Sequence, residues 1–256
     1  MTLRLRYTSL ILVVAAIVFI IGSGCSDQSP TGSLDGFVTT DISQATTSSA
    51  FGEPTFVETF DKNSNAGGFS FFGNPDNPIE VFEPQGGNPG AFLHATCGQF
   101  GCLDTYAPQL RNQIGFESVF TGNYRDRKVT RVGVDIAIFG AAATGGRPLS
   151  LMLRNDSGTP EDFTDDVQVF WTGTKPIPQP NGMYKEFDIS VPSQSTTLPK
   201  GWKVMYGYST GDDDADWNTV MNDVSQITFF FGDPEMFFMF QLWDIGVDNT
   251  RIWYEQ

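Results

Sequence analysis

Cys97 and Cys102 frame the hexapeptide Cys-Gly-Gln-Phe-Gly-Cys, the clearest covalent signal in the chain. The intervening residues include two glycines, so the backbone can turn tightly enough to bring the two sulfurs to bonding distance. A redox pair more often encloses two residues in a βαβ setting, and neither feature is present. A zinc site would need further thiols or imidazoles, and His94 is the only histidine. In an oxidising compartment the pair therefore reads as a structural disulfide.

The single histidine also restricts acyl transfer, and no Gly-x-Ser-x-Gly elbow presents a serine to it. His94 lies in Ala91-Phe-Leu-His-Ala-Thr96, where alternation sets it on the face opposite Leu93 and Ala95, an ordinary strand position. Glycoside hydrolysis needs only two carboxylates, but no pair of acids is marked out by its context. No catalytic residue is assigned, and the chain is read as non-enzymatic.

Two acidic stretches could offer oxygen ligands. Asn155–Asp166 has the small polar composition of a calcium loop without its spacing. Asp212-Asp-Asp-Ala-Asp-Trp-Asn218 with Asp223 matches several ligand positions of an EF-hand loop. It carries Trp217 where that loop needs glycine and Asp223 where it needs glutamate. A solvated acidic loop leading into a short helix explains the second stretch more simply.

The elements that would position these groups are strands. Phenylalanine is abundant at 23, while 27 glycines and 15 prolines punctuate short apolar runs. Strands are expected at Thr55–Phe60, Gly68–Phe72, Ile79–Phe82, Ala91–Thr96, Val129–Phe139, Pro148–Arg154 and Val167–Thr172. Others are expected at Tyr184–Ile189, Lys203–Tyr208, Gln226–Phe231, Phe237–Trp243 and Gly246–Tyr254. Val132, Val134, Ile136 and Ile138 alternate with small or polar residues, the pattern of a half-buried strand. Asp216 is expected to cap one helix over Trp217–Val224, with Trp217, Val220, Met221 and Val224 on one face. Many strands without intervening helices give an all-β fold, an antiparallel jelly-roll-type β-sandwich with one short helix. Of the aromatics crowded into Phe229–Tyr254, about half should enter the core and the others lie on the opposite face, where loops cover them as in a thick core or they stand exposed as a platform.

The N-terminus speaks of export. Arg4 and Arg6 precede a 12-residue apolar run, Leu10–Ile21, too short to span a bilayer, and Gly22-Ser-Gly-Cys25 follows. Residues 1–24 read as a lipoprotein signal peptide and residues 25–52 as a polar tether. Residues 53–256 read as a single β-sandwich domain. Gly22-Ser-Gly-Cys25 resembles a lipobox, which makes Cys25 the lipidated residue, although Gly22 stands where a branched apolar residue is usual. Removing residues 1–24 takes away two arginines and no acid, moving the net charge from −15 to −17. Such a surface excludes nucleic acid and leaves the lipid anchor as the membrane contact. The expected location is the bacterial outer membrane or cell surface.

Phe56-Val-Glu-Thr-Phe-Asp61, Gly86-Gly-Asn-Pro-Gly90 followed by Ala-Phe-Leu, and Trp243-Asp-Ile-Gly-Val-Asp-Asn-Thr-Arg-Ile252 together carry a resemblance. They are similar to strands of laminin-IV-like and carbohydrate-binding-module-like β-sandwiches. Leu103–Arg251, with Val119–Arg125, Gly146–Leu151 and Pro192–Pro199, resembles an uncharacterised family of exported bacterial lipoproteins. The resemblance implies a structural calcium held by Glu58, Asp61 and Asp248, whose terminal strands would be adjacent. If no ion binds there, Asp248-Asn249 forms a turn and Asp61 faces water. The leading function is a non-catalytic, lipid-anchored glycan-binding β-sandwich with its ligand residues unknown. A structural or adhesive module that binds an envelope protein is the alternative, and a carbohydrate-active enzyme the third.

Overall fold

The alternation in Val132–Ile138 becomes a strand whose Val132, Val134, Ile136 and Ile138 are all fully buried. The computed structural model describes residues 52–61, 65–72, 79–96, 108–112, 117–140, 146–236 and 243–255. The expected signal peptide, all but the last residue of the tether, Cys25, Cys97 and Cys102 lie outside these described residues. Among the described residues no helix is long and apolar enough to cross a membrane.

Six strands form sheet A: β1 (Phe56–Glu58), β3 (Ile79–Gly87), β4 (Gly90–Thr96), β6 (Arg131–Ile138), β9 (Lys185–Ser190) and β12 (Asp244–Trp253). Its order is β3-β4-β12-β6-β9, with β1 also on β12. Sheet B contains β2 (Phe69–Phe72), β5 (Gln109–Asn112), β7 (Pro148–Asn155), β8 (Val167–Pro176), β10 (Trp202–Val204) and β11 (Gln226–Phe230). Its order is β10-β8-β7-β11-β5-β2. All of the pairings are antiparallel. The fold is the antiparallel β-sandwich with one short helix that the strand pattern implies.

The core lies between the sheets. Leu151 and Leu153 of β7, Ile227 and Phe229 of β11 and Leu110 of β5 meet the inner residues of β6 and β12. Each such side chain contributes about 1.5–3 kcal/mol on burial. The helix α1 (Asp213–Asn222) closes one flank. Trp217, Val220 and Met221 are buried, and Trp217 meets Trp202 edge-on at 5.1 Å. The expected apolar face of the helix is the one that packs, Val224 included. Its start differs: the cap is Asp212, which accepts hydrogen bonds from Asp214 and Ala215 N–H at 3.1 Å. Asp216 is instead buried, accepting from the hydroxyls of Ser209 and Thr210 at 2.6 Å. A helix through Asp213–Asn222 also rules out the EF-hand geometry, because a helical backbone cannot wrap around an ion.

Strand β12 organises sheet A. On one side it pairs with β6; on the other, Asp244–Val247 pair with β4 and Thr250–Ile252 with β1. The register shifts between Asp248 and Arg251, where Asn249 takes a φ of 46°. This bulge is the point at which β1 and the β3–β4 hairpin meet along one edge.

Candidate functional site

The outer face of sheet B is a groove of about 600 Å³, within the usual range for ligand sites. Strand parity builds it. Once Leu110, Leu151, Val169 and Phe229 point into the sandwich, their neighbours must point out. The register then aligns Arg111 with Thr228, Met152 and Phe170 across four strands, and Gln226 with Arg154 and Gln168 in the next row. Met152, Phe170 and Phe230 form a small second core beneath this face, with Met205 packed against it.

Apolar and polar groups are interleaved along the groove. Phe72 at one end and Phe163 at the other are 45% and 56% exposed, unusual for phenylalanine. Gln109, Gln168, Gln226 and Thr228 also line the groove, the last three of them buried. The Gln226 side-chain amide donates to the Asn112 carbonyl at 2.9 Å, which fixes its orientation. On one wall Lys203 pairs with Glu235, linking β10 to the segment after β11.

Each phenylalanine is matched with an arginine. The Arg111 guanidinium lies 3.4 Å from the centroid of the Phe72 ring, and that of Arg154 lies 4.9 Å from Phe163. Arg154 is buried, with its Nη2 2.5 Å from Asp166 Oδ2. Yet Nη2, Nε and both Asp166 oxygens lack hydrogen-bond geometry to any partner among the described residues, so the pair is close in charge but poorly aligned. Burial pushes the Asp166 carboxyl upward, with Arg154 opposing. Burial, and then the charge of Arg154, lower Arg111 from its ordinary value.

The three carboxylates expected to hold calcium are divided. Glu58 is buried and accepts hydrogen bonds from the backbone N–H of Phe60 and Ala66 at 2.9 and 2.5 Å. It thereby closes the turn after β1. Asp61 is exposed and reaches the hairpin at Ala91 N–H, 3.5 Å away. Asp248 is fully buried at the bulge and accepts from Asn88 and Asn249 N–H at 2.6 and 2.7 Å. Gly87 is required here, since a Cβ would stand 2.7 Å from Asp248 Oδ2. Asp135 joins the corner, held by Asn88, Asn249 and Arg251 at 3.0, 2.8 and 2.7 Å. Asp61 and Asp248 are near enough to repel, but Glu58 is committed to backbone amides. Among the described residues no three of His, Cys, Asp and Glu form a metal-holding group.

His94 is more engaged than its strand position suggested. Its Nε2 lies 2.7 Å from Asp244 Oδ1 and its Nδ1 3.4 Å from Glu83 Oε1, with Phe92 and Phe139 against the ring. Glu83 and Asp244 come from β3 and β12, the strands that flank β4, and no sequence motif links them to His94. The groove residues Phe72, Arg111, Arg154 and Phe163 were likewise unassigned by motif. Alternation through Gln226–Phe230 was the signal that could have found the floor.

No family model matches the chain, and no curated protein matches it. Several solved structures are similar in fold. CtCBM11 is 12% identical, with 82% of this chain and 99% of that one covered and a TM-score of 0.43. The L4b domain of human laminin alpha-2 is 11% identical, with 73% and 98% covered and a TM-score of 0.38. An exo-beta-agarase is 11% identical over 80% of this chain, at a TM-score of 0.42, and this chain spans 25% of its length. At these identities none transfers a ligand or an activity.

Proposed function

We propose that the protein is a non-catalytic, exported β-sandwich whose sheet B groove binds a glycan at the bacterial envelope or cell surface. In this reading a lipid on Cys25 supplies the anchor, and a disulfide between Cys97 and Cys102 stiffens the segment after β4. The observation that carries it is that two exposed phenylalanines, Phe72 and Phe163, share one groove with the side-chain amides of Gln109, Gln168 and Gln226. Sugar rings offer apolar C–H faces that pack on aromatics and hydroxyls that hydrogen-bond to amides, so this mixture suits them.

Two further features support binding rather than hydrolysis or a flat protein contact. Glu235 is the one carboxylate among the described lining residues, and it is paired with Lys203, whereas a glycosidase needs two facing carboxylates. The surface is a groove floored by pliable methionines, Met152 and Met205, that adapt to a ligand's contour. A structural calcium belongs to the proposal in reduced form, at Asp61 and Asp248; the repulsion between these two carboxylates supports it. A glycan array probed with the purified protein tests the reading: signal on a set of glycans sharing one sugar is expected. A blank array, with stable capture of a single envelope protein, would favour the adhesive alternative.

A further inference from the structure

We infer that the groove's ligand is an acidic glycan, with a sugar carboxylate or sulfate ester held between Arg111 and Arg154. The inference rests on the glycan reading and adds the chemical class of sugar. Arg111 and Arg154 project from the same face with β11 between them, offset by one row. Two strand spacings and the one-row offset separate their backbones by about 12 Å, and each guanidinium is packed on a phenylalanine, Arg111 on Phe72 and Arg154 on Phe163. Both line the groove.

Two guanidinium groups in one groove repel, and a fold gains nothing from that repulsion on its own. In this chain it is conspicuous, because the net charge is −15 and acids outnumber bases two to one. Arg154 has Asp166, but Arg111 pairs with no carboxylate among the described residues. Burial first, and then the charge of Arg154, lower the pKa of Arg111, so the field of Arg154 reaches Arg111.

The Arg111 guanidinium carbon sits 3.4 Å over the Phe72 ring, and a guanidinium can present two N–H donors to an oxyanion as a forked contact. Arg154 lines the groove, and its buried Nε has no hydrogen-bond partner among the described residues. An oxyanion placed between the two would relieve the repulsion. Phe72 and Phe163 would then flank it as surfaces for the sugar rings on either side.

Isothermal titration with matched polysaccharides tests this. The pairs are polygalacturonate against its fully methyl-esterified form, and a sulfated galactan against its desulfated form. The acidic member of at least one pair should bind about tenfold or more tighter, the scale of one forked ionic contact. Binding to the uronate pair alone identifies a carboxylate, and to the sulfated pair alone a sulfate ester. Arg111→Gln should reduce binding of the acidic form to the neutral level, and Arg111→Lys should retain part of it, with melting temperatures near wild type. Equal binding of charged and neutral forms, unchanged in Arg111→Gln, would overturn the acidic ligand and leave glycan binding standing. Failure of every polysaccharide here and of every glycan on the array would remove both.

Discussion

Asp248 accepts the Asn88 backbone N–H at 2.6 Å, a bond that ties the last strand to the β3–β4 hairpin across 160 positions of sequence. It does so while fully buried beside Asp135 and within the field of Asp61. Burial, chiefly, pushes its carboxyl up to about 6; the two neighbouring charges add to this and the amide hydrogen bonds of Asn88 and Asn249 oppose it.

The sign of the resulting pH dependence follows directly. The folded state takes up a proton on Asp248 more readily than the unfolded chain, whose aspartates titrate near 4, so this group favours the fold at low pH. That advantage is lost as pH rises through 6, leaving a penalty of about 2–3 kcal/mol at neutral pH. Relative to wild type, Asp248→Asn should therefore gain about 2 kcal/mol in urea unfolding between pH 4.5 and 7.5. Stability profiles that run parallel would show that Asp248 is charged in both states.

A calcium ion at Asp61 and Asp248 would favour the charged carboxylate. Calcium should then raise the melting temperature more at pH 7.5 than at pH 5, and chelation should reverse the gain. An ion at 100 times its dissociation constant contributes about 2.7 kcal/mol. Asp248→Asn should abolish the response, whereas Glu58→Gln should weaken the fold yet keep it. Melting curves identical in calcium and in chelator would remove the ion from the corner.

The helix flank gives a separate stability test. Trp217 is fully buried, meets Trp202 at 5.1 Å and donates its indole N–H to the Ser195 carbonyl at 3.0 Å. Trp217→Ala should cost about 3–5 kcal/mol, and Trp217→Phe distinctly less. Asp212→Ala should cost about 1 kcal/mol by removing the cap, and Asp216→Ala more, because it strands the Ser209 and Thr210 donors. Urea denaturation followed by tryptophan fluorescence measures all four. Equal losses for Asp212→Ala and Asp216→Ala would contradict the assigned cap.

Strand alternation made most of the sandwich legible, because the apolar residues of β6, β7 and β11 point at the facing sheet; their outward residues are almost all buried too, so β6 is not the half-buried strand its alternation implied. The same logic missed β5: Gln-Leu-Arg-Asn offers one apolar residue, and its outward pair faces the groove rather than solvent. Asp212 and Asp216 look alike in sequence; only the Ser209–Thr210 turn, which binds Asp216, separates cap from buried acceptor. The expected strand Phe237–Trp243 falls largely outside the described residues, and Trp243 itself precedes β12. Asp61 and Asp248 were brought toward one another as the terminal strands required. No pattern set Glu58 apart from them, because its partners are backbone amides of a turn that has no sequence signature. The groove depended on strand order, which places Arg111 and Arg154 on either side of β11 from distant parts of the chain.

Glycan binding at sheet B is tested most directly by probing one glycan array in parallel with wild type and with the Phe72→Ala/Phe163→Ala variant. Both phenylalanines are exposed at the ends of the groove, so the double variant should melt close to wild type. Loss of two stacking surfaces worth about 1 kcal/mol each should lower affinity roughly tenfold or more and erase the array signal. An unchanged pattern in the variant, or no glycan bound by the wild type, would contradict the groove as the binding site.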